Sequence, residues 1–105
     1  MASYSAVKRA AVDVVDDSTR LDVTANYAPS GSKKYNAKTK LEKIGVNEFS
    51  LAGMPLRLNK VMENLTQGAW ITVGSIDTAG LTTIGDVILL ACANSGTKVP
   101  FGEPT

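Results

Sequence analysis

The chain has no histidine and a single cysteine, Cys92. The first absence removes the side chain that most often serves as general base or metal ligand near neutral pH. Together they leave no standard zinc set and no Ser-His-Asp or Cys-His arrangement. One cysteine forms no internal disulfide, and Cys92 lies in the apolar run VILLACA, where it reads as a small buried hydrophobe. Aromatics are scarce as well: Tyr4, Tyr27, Tyr35, Phe49, Trp70 and Phe101 are the full set. The core must be built from Ala, Val, Leu and Ile, which bury less surface per residue than aromatic side chains.

Excess charge is also missing. Lys and Arg number 11 against 10 Asp and Glu, a net charge of +1. A dedicated nucleic-acid protein draws its affinity from a basic excess that is not here. VILLACA, residues 87–93, is the longest purely apolar run and is too short to cross a bilayer. The start, MASYSAVKRAAVDVVDD, lacks the uninterrupted apolar stretch of a signal peptide. The expected setting is cytoplasmic at synthesis. No residue is assigned a catalytic, cofactor-binding or metal-binding role, and an enzyme is not expected.

What is present fits one small domain over residues 1–105, with a thin stability margin. The clearest element is PLRLNKVMENLTQG, residues 55–68. Leu58, Val61, Met62 and Leu65 recur at helical spacing, Pro55 suits a first turn and Gly68 a stop. An amphipathic helix is predicted at about 55–67. RLDVTANY, residues 20–27, alternates like a strand with one wet face. Residues 7–15 fit a helical stripe, but Lys8 and Arg9 at its start and Asp16 and Asp17 at its end oppose the helix dipole. That conflict favours a hairpin of residues 12–16 against 20–27. KTKLEKIG, VNEFSLAG and AWITVGSID read as further strands. Residues 84–93 fit a doubly buried strand or a buried helix, which periodicity does not separate. The expected fold is α+β: a small, mainly antiparallel β domain with one amphipathic helix. A flexible basic loop at 28–36 and an extended tail at 94–105, partly mobile, would be its arms.

Motifs that carry chemistry are weak. IDTAG, residues 76–80, has the DxxG spacing of a nucleotide switch, but no phosphate loop accompanies it, and a glycine turn explains it better. Asp13, Asp16, Asp17 and Asp22 cluster without the glycine and closing glutamate of a calcium loop, so they read as a charged turn. Residues 33–43, KKYNAKTKLEK, hold five lysines against one glutamate. Lys33, Lys34, Lys38 and Lys40 around Tyr35 allow three uses: a solvated edge, a strap pairing with the acidic segment of Asp13, Asp16 and Asp17 on a neighbouring subunit, or a nonspecific nucleic-acid contact. Trp70 reads as core or interface anchor, and Phe101 in the tail as a candidate contact.

A non-enzymatic structural protein follows, one that self-assembles or docks on a larger assembly. The concrete instance is a small virion component: a phage capsid, decoration or head-tail protein. The alternative is a small binding or regulatory module, such as a host-takeover inhibitor or a nonspecific nucleic-acid binder using the lysine strip. Partners would be itself or a larger protein lattice, without a membrane.

Overall fold

The computed structural model describes residues 2–28 and 35–105. Helix, the 3₁₀ turn included, accounts for 54% of the described residues, which contain no sheet. The expectation of a mainly antiparallel β domain is therefore wrong. Among the described residues four helices follow in order: α1 (Tyr4–Asp17), α2 (Glu48–Thr66), α3 (Ser75–Thr78) and α4 (Ile84–Ser95). A 3₁₀ turn, Leu41–Ile44, precedes α2. Helix α1 packs most extensively on α4 and also on α2, while α2 meets α3 and α4.

Each helix has a local cause. Ser3 caps α1, its hydroxyl accepting from the Ala6 N–H. Val7, Ala10, Ala11, Val12, Val14 and Val15 are buried along it. Burying each valine contributes roughly 1.5–3 kcal/mol, whereas a charge at the wrong helix end costs about 0.3–1 kcal/mol. Burial wins, and the predicted hairpin gives way to a helix. Its second half is a turn region: the Asp16 carboxylate accepts from the N–H groups of Val23 and Thr24, and that of Asp22 from Ala25. Side-chain acceptors thus replace the cross-strand partners that the alternation at 20–27 promised.

Helix α2 begins seven positions before Pro55, at Glu48, with Asn47 as its cap and Ser50 N–H bonded to the Asn47 side chain at 2.9 Å. Within VNEFSLAG, residues 48–53 are therefore helical, and KTKLEKIG forms a loop and the 3₁₀ turn. Gln67 ends α2 in the left-handed region, at φ 53°, and Gly68 follows at φ 95°. AWITVGSID does not pair as a strand. Residues 69–74 link α2 to α3 and residues 75–77 begin α3; the link is held by Asn59, whose Oδ1 accepts from Trp70 Nε1 and the Val73 N–H and whose Nδ2 donates to the Val73 carbonyl. Asn94 grips the same segment by a reciprocal pair of bonds with the Ile71 backbone.

Residues 84–93 are helical. Thr83 and Asp86 form a capping box, with Thr83 Oγ1 accepting from the Asp86 N–H and Asp86 Oδ2 from the Thr83 N–H. Gly96, at φ 67°, closes α4. The N–H groups of Ile84 and Gly85 are bonded to the Thr39 and Ala37 carbonyls, which ties the loop before the 3₁₀ turn to the start of α4. The core is aliphatic around Met54, Leu58, Met62, Ile84 and Ile88, and Trp70 is its one buried aromatic among the described residues. No helix among the described residues is long and apolar enough to cross a membrane.

Candidate functional site

The outward face of the first half of α2 is apolar. Phe49, Ala52, Gly53 and Leu56 recur at i, i+3, i+4 and i+7, so they share one side of the helix. Met54, Pro55 and Leu58 occupy the opposite, buried side. Phe49 is 78% exposed and Leu56 81% exposed. Helix α3 lies along the Ala52 edge of this face, separated from α2 by a cleft of about 370 Å³ lined by Glu48, Leu51, Ala52, Ser75, Ile76 and Ala79. Ile76 at its lip is 89% exposed. Three large aliphatic or aromatic side chains therefore stand out from one two-helix face.

The face is held firmly from behind. Pro55 has no N–H for the Leu51 carbonyl one turn earlier. The Thr78 hydroxyl donates to that carbonyl at 2.7 Å, and Thr78 is fully buried. Asp77 Oδ2 accepts from the Gly74 N–H and starts α3. Around the face stand exposed charges: Glu48 at the amino end of α2, Asp77 on α3, and Arg57 and Lys60 further along α2.

A second cluster joins the tail to α1. Glu103 Oε1 accepts from Tyr4 Oη at 2.9 Å and from Lys8 Nζ at 3.1 Å, and its Oε2 accepts from Thr105 Oγ1. Tyr27 Oη donates to the Thr105 carbonyl at 2.6 Å. The Lys8 ammonium lies 6.0 Å from the Tyr4 ring centre and 5.7 Å from that of Tyr27. Lys8, Thr105 and Tyr4, in that order, bond to the Glu103 carboxylate and hold it down at about 2. Burial, reinforced by the negative Glu103, pushes Tyr27 up to about 12 and Tyr4 higher still. Burial also raises the Cys92 thiol, which keeps it protonated and unreactive. The groups of this cluster bond to one another, so it works as a latch that folds the tail back on α1.

The residues singled out from sequence are dispersed. Lys33 and Lys34 lie outside the described residues, as does most of the loop predicted at 28–36. Tyr35 is half-buried and packs on the core, with its backbone bonded to Asn26 and Ala28, so its ring is not a free stacking platform. Lys38 and Lys40 are exposed. Asp16 serves the turn after α1, Asp13 accepts from Thr24 Oγ1, and Asp17 is exposed. Trp70 is 7% exposed and bonded to Asn59, so it belongs to the core. Phe101 is fully exposed. Among the described residues no cluster could hold a metal ion. Phe49, Leu56 and Ile76 escape the sequence reading; the signal for the first two is the 49/52/53/56 spacing, which a helix beginning at Pro55 hides, and Ile76 carries no such signal.

Compared with known proteins, the chain matches no family model, no curated protein and no solved structure.

Proposed function

We propose that the protein is a non-enzymatic docking protein that assembles with other protein through the α2–α3 face. One observation carries this reading: Phe49, Leu56 and Ile76 are largely exposed on a face of capped, cross-bonded helices. Exposed large apolar side chains grouped on one rigid surface favour a site where another surface excludes water. Isolated exposed residues such as Phe101 need no such explanation. A small virion component docking on a larger lattice is the setting we propose by protein type, and the face is the means of attachment.

The test places a photo-crosslinking amino acid at Phe49, Leu56 or Ile76, with controls at Asp17 and Lys98, in cells that make the protein. Crosslinked species of defined mass from the three face positions, and none from the controls, are expected. Equal labelling at all five positions, or labelling only at the controls, would overturn the docking face.

A further inference from the structure

Apart from the α2–α3 face, the molecule holds a groove with its ligand in place. Tyr4 and Lys8, about one turn apart on α1, and Tyr27 after the following turn hold Glu103 and Thr105 of the tail. We infer that this groove also receives the tail of a second copy, so that neighbouring copies exchange residues 97–105 as arms. The ligand chemistry is carried by the chain itself. A carboxylate accepts from a phenol and an ammonium, and a backbone carbonyl two residues later accepts from a second phenol.

Three observations make the contact transferable. First, recognition is confined to the far part of the arm. Among the described residues, every hydrogen bond from residues 98–105 to the rest of the chain is made by Glu103 or Thr105. The lead before them is loosely attached: Val99 packs partly on the core, while Lys98, Pro100, Phe101 and Gly102 are exposed. The turn at 100–103 is closed by its own bond, from the Glu103 N–H to the Pro100 carbonyl, and can travel with the arm. Second, the lead has a hinge and the necessary reach. Gly96 ends α4 in the left-handed region, at φ 67°. Residues 97–102 span up to about 20 Å when extended. The molecule is 20 Å thick along its shortest axis, so an arm released at Gly96 reaches a copy packed beside it. Third, the groove is not sealed. A cavity of about 570 Å³ opens beside the anchor, bounded by Arg9, Val12, Asp13 and Thr24, and gives an incoming carboxylate a path to Lys8.

The same bonds form within a chain or between two chains, so local concentration decides between them. A short flexible lead gives the internal contact an effective concentration on the order of millimolar. A free chain is therefore closed on itself, and exchange sets in where copies are held side by side.

The experiment mixes two full-length variants, Lys8→Glu and Glu103→Lys. Each alone sets like charges at the anchor and opens its own latch, so amide exchange over residues 98–105 should speed up at least about ten-fold. Mixed, the arm of the first meets Lys8 of the second, and the reversed pair closes the other groove. Sedimentation equilibrium should then show a one-to-one complex of twice the 11.0 kDa chain mass, at least about ten-fold tighter than self-association of either variant. The double variant Lys8→Glu/Glu103→Lys closes on itself again and should stay monomeric, with amide exchange within about three-fold of wild type. Tyr27→Phe in the Glu103→Lys chain leaves charge untouched and removes the donor to the Thr105 carbonyl, so it should weaken the mixed complex about three-fold or more. A mixture that remains monomeric to high micromolar concentration, although both latches are open, overturns the exchange. Single variants whose residues 98–105 stay as protected as in wild type overturn the anchor itself. A mixed complex indifferent to Tyr27→Phe is general charge attraction and overturns the groove as its site.

Discussion

Pro55 offers no N–H to the Leu51 carbonyl, and the hydroxyl that takes its place comes from α3. Thr78 donates to Leu51 at 2.7 Å and more loosely to its own helix at Ser75, 3.3 Å away. Replacing Thr78 by Val keeps the shape and leaves a carbonyl bare in the interior. The expected cost is about 1–3 kcal/mol in urea unfolding. Pro55→Ala restores an N–H for the same carbonyl, so the Thr78→Val cost should fall by about 1 kcal/mol in that background. A Thr78→Val cost unchanged by Pro55→Ala would show that the proline does not create the need. Asn59 is a second such residue, with three bonds to the segment that carries Trp70 and Val73. Asn59→Ala frees an indole N–H and two backbone groups and should cost about 2–3 kcal/mol, with a red-shifted Trp70 emission as its reporter. Neither role was legible in the sequence. Each depends on a partner more than ten positions away, and a threonine or asparagine gives no sign of which distant carbonyl it will meet.

Helices were legible where cap and stripe agreed, and misread where they conflicted. The stripe at 58, 61, 62 and 65 locates α2, but Pro55 imitates a first turn in a helix that Asn47 caps and Glu48 begins. Thr83 and Asp86 carry the spacing of a capping box, a cue that separates helix from strand for the apolar run that follows. In α1 the charges at the helix ends pointed away from a helix, yet they are occupied elsewhere: Lys8 with Glu103 and Asp16 with the following turn. Glycines make the element scale testable because two of them predict opposite signs. A Cβ on Gly85 would stand 2.9 Å from the Ala37 carbonyl oxygen and 3.1 Å from Ala37 Cβ. The loop is already bonded to that position through the Gly85 N–H at 2.8 Å, so it has no room to withdraw without losing the bond. Gly85→Ala should destabilise by about 1–3 kcal/mol. Gly53, inside α2 with open space around it, should give a gain of up to about 1 kcal/mol as Gly53→Ala. Chemical denaturation at low concentration, where self-association does not contribute, measures both. Matching signs would contradict the packing of the loop on α4.

The whole molecule closes through its tail. Residues 94–105 were expected to extend outward; instead α4 runs to Ser95 and the residues beyond it return to α1, where Glu103 meets Tyr4 and Lys8. A chain with few aromatics thus uses Tyr4 and Tyr27 to hold residues 103–105 on α1 and the turn that follows it, a common site that no spacing in the sequence announces. This closure carries a pH dependence of definite sign. The Glu103 carboxylate is held at about 2 in the folded chain, against its ordinary 4.5. A lowered folded value means that the charged form favours the fold, so the contribution is complete above about pH 4.5 and disappears as pH falls towards 2. The Glu103 side chain is 25% exposed, so solvent screening reduces the contribution to about 1–2 kcal/mol. Glu103→Gln should therefore lower stability by that amount at neutral pH, while the difference from wild type closes between pH 4.5 and 2. The other carboxylates are common to both proteins and cancel in the difference. Thermal unfolding of the two proteins across that range reads it directly. A constant gap at every pH would assign the loss to packing or to the hydrogen bonds alone, and no gap at any pH would remove Glu103 from the forces that hold the tail on α1.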